Sequence, residues 1–163
     1  MEAPVSRAFP RITQTQVWTW TLVVALAAGW AAREVAHARE KASTLKSGVV
    51  NLAEVPIKPF EYEGKKVGTI GVYVSGDTPS SSKFVTGRFV LDAGETPHKP
   101  HVHEEEEVMI VASGNGEIVC DGVTSQVGPG SVMFTTPNAP HGIVNTGKDP
   151  LLFYFIKWAP ASK

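Results

Sequence analysis

The stretch Pro97–Gly114 reads PHKPHVHEEEEVMIVASG, and together with Pro137–Asn145 (PNAPHGIVN) it decides how the chain is read. Four of the five histidines lie in these two stretches: His98, His101, His103 and His141. Imidazole and carboxylate gathered at such spacing are the donors a divalent transition metal requires. Alternate residues of a strand point to one face, so His101 and His103 are placed to face a barrel interior together. Glu107 comes back at the start of the next strand after a short turn, and His141 approaches from a later strand. Three neutral imidazoles and one carboxylate enclose one side of an ion and leave positions open for water, oxygen or substrate. An open position is what separates a catalytic site from a closed structural one.

The neighbours of these residues receive other roles. Four consecutive carboxylates are too crowded all to bind one ion, so Glu104–Glu106 read as a solvated turn. Glu106 is the rival of Glu107 if the turn register differs. His98, close to Pro97 and Pro100, reads as a residue of the pocket rim or as support behind the ligands. Asn145 is expected to organise backbone near the second stretch. Phe89, Phe134, Phe153 and Phe155 are assigned to the core. Arg88, in mid-strand, either meets an anionic substrate or points to solvent.

From Lys66 onward, strand-sized runs alternate with turn chemistry. Val67–Val74 is followed by Ser75–Lys83 (SGDTPSSSK), which has the composition of a surface loop. Phe84–Leu91, Glu107–Ala112, Glu117–Cys120, Val123–Val127, Ser131–Thr135, Gly142–Asn145 and Leu151–Trp158 complete the set. Ser113–Gly116 (SGNG) carries the Asn-Gly step of a hairpin. Short strands at this spacing predict an all-β sandwich or small barrel. The last run, LLFYFIKW, is apolar on both parities. A strand of a small barrel should have one wet face. An apolar outer face therefore implies a cover, either the proline-rich arm Val49–Phe60 or a second subunit, and a homodimer is expected.

The two stretches resemble the paired motifs of the cupin superfamily. His101-Val102-His103, Glu107 and Gly114 satisfy the first motif, and Gly130, Pro137, His141 and Asn145 match the second in order. Gly94 stands one residue too far from His101, Ala139 replaces a usual glycine, and the gap from Pro137 to His141 is short. None of these departures removes a ligand. The resemblance covers roughly Lys66–Trp158 and implies a small double-stranded β-helix (jelly-roll) barrel. It implies a divalent transition metal (Fe, Mn, Zn, Cu or Ni) held by His101, His103, Glu107 and His141. By resemblance the chain is a quercetin-dioxygenase-like oxidoreductase acting on a small organic substrate, with Glu107 as ligand and base. The same four residues serve a non-catalytic binder of a small carboxylate or sugar, or an isomerase or lyase, so these alternatives stay open.

The amino terminus bears on location. Arg7 and Arg11 precede an uncharged run, Ile12–Ala32, whose strongly apolar part is Val17–Ala32. That length falls between the roughly 7–15 residues of a signal peptide and the roughly 20 of a spanning helix. Ala36–His37–Ala38 offers a cleavage site before Arg39, whereas Trp18, Trp20 and Trp30 resemble an aromatic belt. The expected organisation is a signal peptide or membrane anchor over residues 1–38, a linker and arm over 39–65 and the barrel over 66–160. The anchor would form an N-terminal hydrophobic helix, and the barrel would be exported, with membrane contact if the segment is uncleaved.

Composition narrows the rest. A chain of 163 residues builds one well-cored domain. A formal net charge of -1 offers no footprint for nucleic acid, and no helix-turn-helix segment accompanies the barrel. The single cysteine, Cys120, excludes an intrachain disulfide and a cysteine-rich zinc site. Its alternation with Ile118 reads as a small buried hydrophobe.

Overall fold

Two of the sequence's Xaa-Gly steps make the tight turns of this molecule. The structure is a computed structural model and describes residues 44–161. The segment 1–38, with its expected hydrophobic helix, lies outside the described residues. Among the described residues, no helix is long and apolar enough to cross a membrane.

Among the described residues a 3-10 turn (Leu52–Glu54) precedes the strands β1 (Lys58–Tyr62), β2 (Lys65–Gly76), β3 (Ser81–Leu91), β4 (Glu106–Ser113) and β5 (Gly116–Cys120). They are followed by β6 (Val123–Val127), β7 (Val132–Thr135), β8 (His141–Val144) and β9 (Leu151–Pro160). One sheet has the order β1-β2-β3-β9-β4-β7 and the other β6-β5-β8. All named strand pairs are antiparallel, which gives the all-β jelly-roll architecture.

Local chemistry sets the hairpins. Glu63-Gly64, with φ of 51° and 77°, joins β1 to β2, and Asp121-Gly122, with φ of 49° and 78°, joins β5 to β6. Two consecutive positive φ values are the signature of the turn whose twist matches paired strands. The expected SGNG hairpin does not form: β4 and β5 belong to different sheets, so this segment is a corner between them. Gly114 has φ of 82°, and a Cβ there would lie 2.7 Å from Leu151 Cα, so glycine permits the backbone to pass β9 closely.

The expected loop Ser75–Lys83 is shorter than its composition suggests. Strand β2 continues to Gly76 and β3 begins at Ser81. Between them, Thr78 Oγ1 accepts from Ser81 N at 2.9 Å, and this side-chain bond closes the turn. The proline-rich arm ends in β1, which forms an edge of the larger sheet.

The core lies between the two sheets and contains Phe89, Leu91, Met109, Ile118, Ile143 and Phe153. Phe89 stacks on Phe153 with centroids 5.6 Å apart, and Phe60 meets Phe89 edge-on at 5.0 Å. On β9 the odd positions Leu151, Phe153 and Phe155 are buried, while Leu152, Tyr154 and Ile156 are half-buried on the outer face. Two sequence assignments are corrected. Phe134 is 53% exposed, because Met133 and Thr135 take the inward parity of β7. Cys120 is half-buried, with its Sγ 3.7 Å from Phe134 O.

Candidate metal centre

His101 and His141 are placed side by side by backbone alone. His101 N donates to His141 O and His141 N donates to His101 O, both at 3.0 Å, in one antiparallel bridge. Residues paired this way project their side chains to the same face, and here the ring centroids lie 4.7 Å apart. His103 follows two residues later. Its carbonyl accepts from Asn138 N at 2.7 Å, which ties the first histidine stretch to the loop before β8. Donor atoms of His101, His103 and His141 all lie within 4.8 Å of one another.

The second ring nitrogens fix the tautomers. His103 Nδ1 lies 3.0 Å from Glu105 O and His141 Nδ1 2.9 Å from Ala139 O. Each therefore donates to a carbonyl, and in the neutral ring Nε2 holds the lone pair. Both Nε2 atoms lie 3.0 Å from Glu107 Oε2. Glu107 faces inward because it shares a parity with Met109 and Val111, all three buried on β4. Two lone pairs and a carboxylate oxygen converging on one point call for a cation between them, either a proton or a metal ion. His101 adds a second indication: its Nδ1 is buried and has no hydrogen-bond partner. These residues can hold a divalent transition metal, and the donor set does not choose among Fe, Mn, Zn, Cu and Ni.

In the metal-free cluster the electrostatics keep Glu107 ionised and His101 neutral and draw a proton to His141, which a metal ion would displace. Burial disfavours the Glu107 anion, yet hydrogen bonds from His141 and then His103 outweigh it and hold the carboxyl below its usual range. For His141, burial opposes protonation, but the hydrogen bond to Glu107 prevails and raises the pKa. His101 is pushed down to about 4 by burial and by the neighbouring charges of His98, His141 and His103. At neutral pH it is a neutral imidazole, as a metal ligand must be.

A cavity of about 210 Å³ adjoins this cluster. Its polar lining is His98, His101, Glu107 and Lys157, and its apolar wall includes Phe60, Phe89 and Phe155. An apolar cavity of ~150 Å³ already holds benzene, so a small organic molecule fits beside the donors.

The other candidate residues sort clearly. His98 lines the cavity with its ring centroid 4.0 Å from that of His101. Its Nδ1 is 3.0 Å from Lys99 O. Glu106 takes the parity opposite Glu107 and pairs in register with Trp158. Glu104 forms an ion pair with Lys83, and Glu105 lies 3.7 Å from the same ammonium. Arg88 stands opposite Tyr154 on the outer face. Asn145 is fully buried and organises backbone: its Nδ2 reaches Leu91 O, Asp92 O and Asp149 O at 2.9–3.1 Å. Sequence reasoning missed Lys157. Its parity with Leu151, Phe153 and Phe155 on β9 places it inward only once the structure has shown which face of that strand is buried.

Residues 87–157 match the family model described as a cupin domain. Residues 87–157 are a cupin domain. The match spans His101, His103, Glu107 and His141, so the whole donor cluster falls within the cupin segment. Solved cupin-like folds agree in architecture. A predicted oxalate decarboxylase from Thermotoga maritima has a TM-score of 0.55 at 24% identity, covering 69% of this chain and 99% of that one. KdgF from Halomonas sp. has a TM-score of 0.56 at 18% identity, covering 72% and 97%. The polyketide cyclase RemF from Streptomyces resistomycificus has a TM-score of 0.56 at 25% identity, covering 72% and 83%.

Proposed function

We propose that this cupin binds a divalent transition metal through His101, His103, Glu107 and His141 and is a dioxygenase-like oxidoreductase acting on a small organic substrate. The observation that carries the reading is the cavity. His101 and Glu107 form part of its wall, so the open side of the donor cluster faces a space of about 210 Å³. A bound ion would supply Lewis acidity there and, if redox-active, electron transfer to oxygen. The chain's own residues do the rest. Hydrogen bonds from Nδ1 to carbonyls orient His103 and His141, the aromatic wall excludes water, and Glu107 ligates and takes up a proton when the centre rearranges. Its lowered pKa makes it a better ligand than base.

A cyclase or lyase is the second reading, favoured by the aromatic wall and by the 25% identity to a polyketide cyclase. A purely binding role is weakened by the cavity's polar lining, because His98 and Lys157 stand beside the donors as acid or base groups. Elemental analysis of the native protein, purified without an affinity tag, tests the reading. Iron or copper favours oxygen chemistry, zinc favours the cyclase or lyase, and a metal-free protein sinks both.

Two further parts of the reading concern setting. The run Val17–Ala32 supports export, with the barrel anchored or released, and cell fractionation distinguishes these from retention in the cytoplasm. The exposed Val132 and Phe134 continue the outer apolar face of β9 across β4 and support a homodimer.

A further inference from the structure

We propose that Lys157 is the residue that selects the ligand, and that the cavity takes small carboxylic acids with an apolar body, the carboxylate lying between Lys157 and the donor cluster. The proposal rests on the reading of that cluster as a ligand-binding metal centre and adds the substrate class.

Lys157 sits on β9 directly across from Glu107 on β4, in register. It continues the inward parity of Leu151, Phe153 and Phe155, and it lines the same cavity as His101 and Glu107. The other cavity-lining residues of β3 and β9 are Phe89, Phe153 and Phe155, so an ammonium has been set into an aromatic wall. Lys157 is half-buried there, so an anion that enters the cavity can meet its ammonium. No ion pair or hydrogen bond to another described residue engages it, although its charge is felt at Glu107 and His141. Its opposite neighbour Glu107 is already committed, with Oε2 at 3.0 Å from two imidazoles. The cavity side of Lys157 is thus where an anion supplied by the ligand would sit. The aromatic wall receives that ligand's apolar body, and the cavity volume limits it to a small molecule.

The test compares phenylacetate with its neutral isostere phenylacetamide, by calorimetric titration of the full-length protein, with metal content measured on every sample. The wild type should bind phenylacetate on the order of tenfold or more tightly than the amide, as expected for a charge-assisted contact out of bulk water. Lys157→Met should bind the two alike, whereas Lys157→Arg should keep the preference, and both should retain the wild-type metal content. Equal affinity of the wild type for acid and amide, binding of neither, or an undiminished preference in Lys157→Met each overturns the proposal. A metal-free protein whose preference still depends on Lys157 would instead overturn the metal reading and leave this one standing.

Discussion

Replacing Asn145 by alanine should cost ~2–4 kcal/mol, and the structure shows where the figure comes from. The side chain is fully buried. Its Nδ2 lies 3.1 Å from Leu91 O, 3.1 Å from Asp92 O and 2.9 Å from Asp149 O, and its Oδ1 accepts from Gly147 N at 2.9 Å. One amide has two N–H groups, so three carbonyls share two donors. Each net bond contributes ~1 kcal/mol, and a buried group left bare costs ~1–3 kcal/mol, part of which water recovers by entering the gap. The loss is a large fraction of the ~5–15 kcal/mol that holds a domain together. It falls where the ends of β3 and β9 meet the end of β8, the strand that begins at His141. Urea titration followed by circular dichroism should show a lower midpoint at unchanged slope. Asn145→Asp is the sharper perturbation, because an acceptor-only carboxylate would face three carbonyl oxygens, and it should destabilise more than alanine. An Asp variant within ~0.5 kcal/mol of wild type, inside the range of ordinary surface substitutions, would refute this account of the second stretch.

Three other outcomes follow from named contacts. In the metal-free protein, His101 is lowered from 6.5 to about 4, so its contribution to stability is complete above pH 6.5 and is lost as pH falls towards about 4. His141 is raised and has the opposite sign: its contribution is complete below pH 6.5 and is lost as pH rises through its folded pKa. Thermal melts of apo-protein should therefore peak near pH 6.5, and His101→Phe should flatten the acid side; an unchanged acid limb would contradict the assignment. Gly87→Ala would put a Cβ 2.4 Å from Phe155 Cζ and 2.6 Å from the backbone oxygen of Gly71. It should destabilise by ~1–3 kcal/mol, and a neutral effect in urea would show that the cavity wall is looser than described. Phe134→Asp on the outer face should convert a dimer to monomer in light scattering, with the circular dichroism spectrum kept; a monomeric wild type would contradict the homodimer.

The donor cluster was readable in the sequence because its geometry is largely local. The spacing named residues that do lie together, for a reason that needs correcting: His101 lies in an isolated bridge to His141 and His103 outside any strand, so the loop before β4 presents them, while Glu107 and His141 stand on β4 and β8. The SGNG segment misled because an Asn-Gly step reports turn propensity, while the choice between hairpin and sheet corner depends on the close passage of Gly114 over Leu151. Loop-like composition over Ser75–Lys83 was overridden by pairing of β2 with β3 out to Gly76–Phe84. Lys157 was hidden for a different reason. Strand β9 is apolar on both parities, so sequence alone does not reveal which face is inner, and its register with Glu107 spans fifty residues. Phe134 was assigned to the core on hydrophobicity, whereas the inward parity of β7 belongs to Met133 and Thr135.

The central claim is that His101, His103, Glu107 and His141 form a metal centre, and equilibrium dialysis tests it most directly. The wild-type protein should take up one divalent ion per chain. The double variant His101→Ala/His103→Ala should take up none while keeping its circular dichroism spectrum, since neither imidazole belongs to the hydrophobic core. Full metal occupancy in the folded double variant would contradict the account.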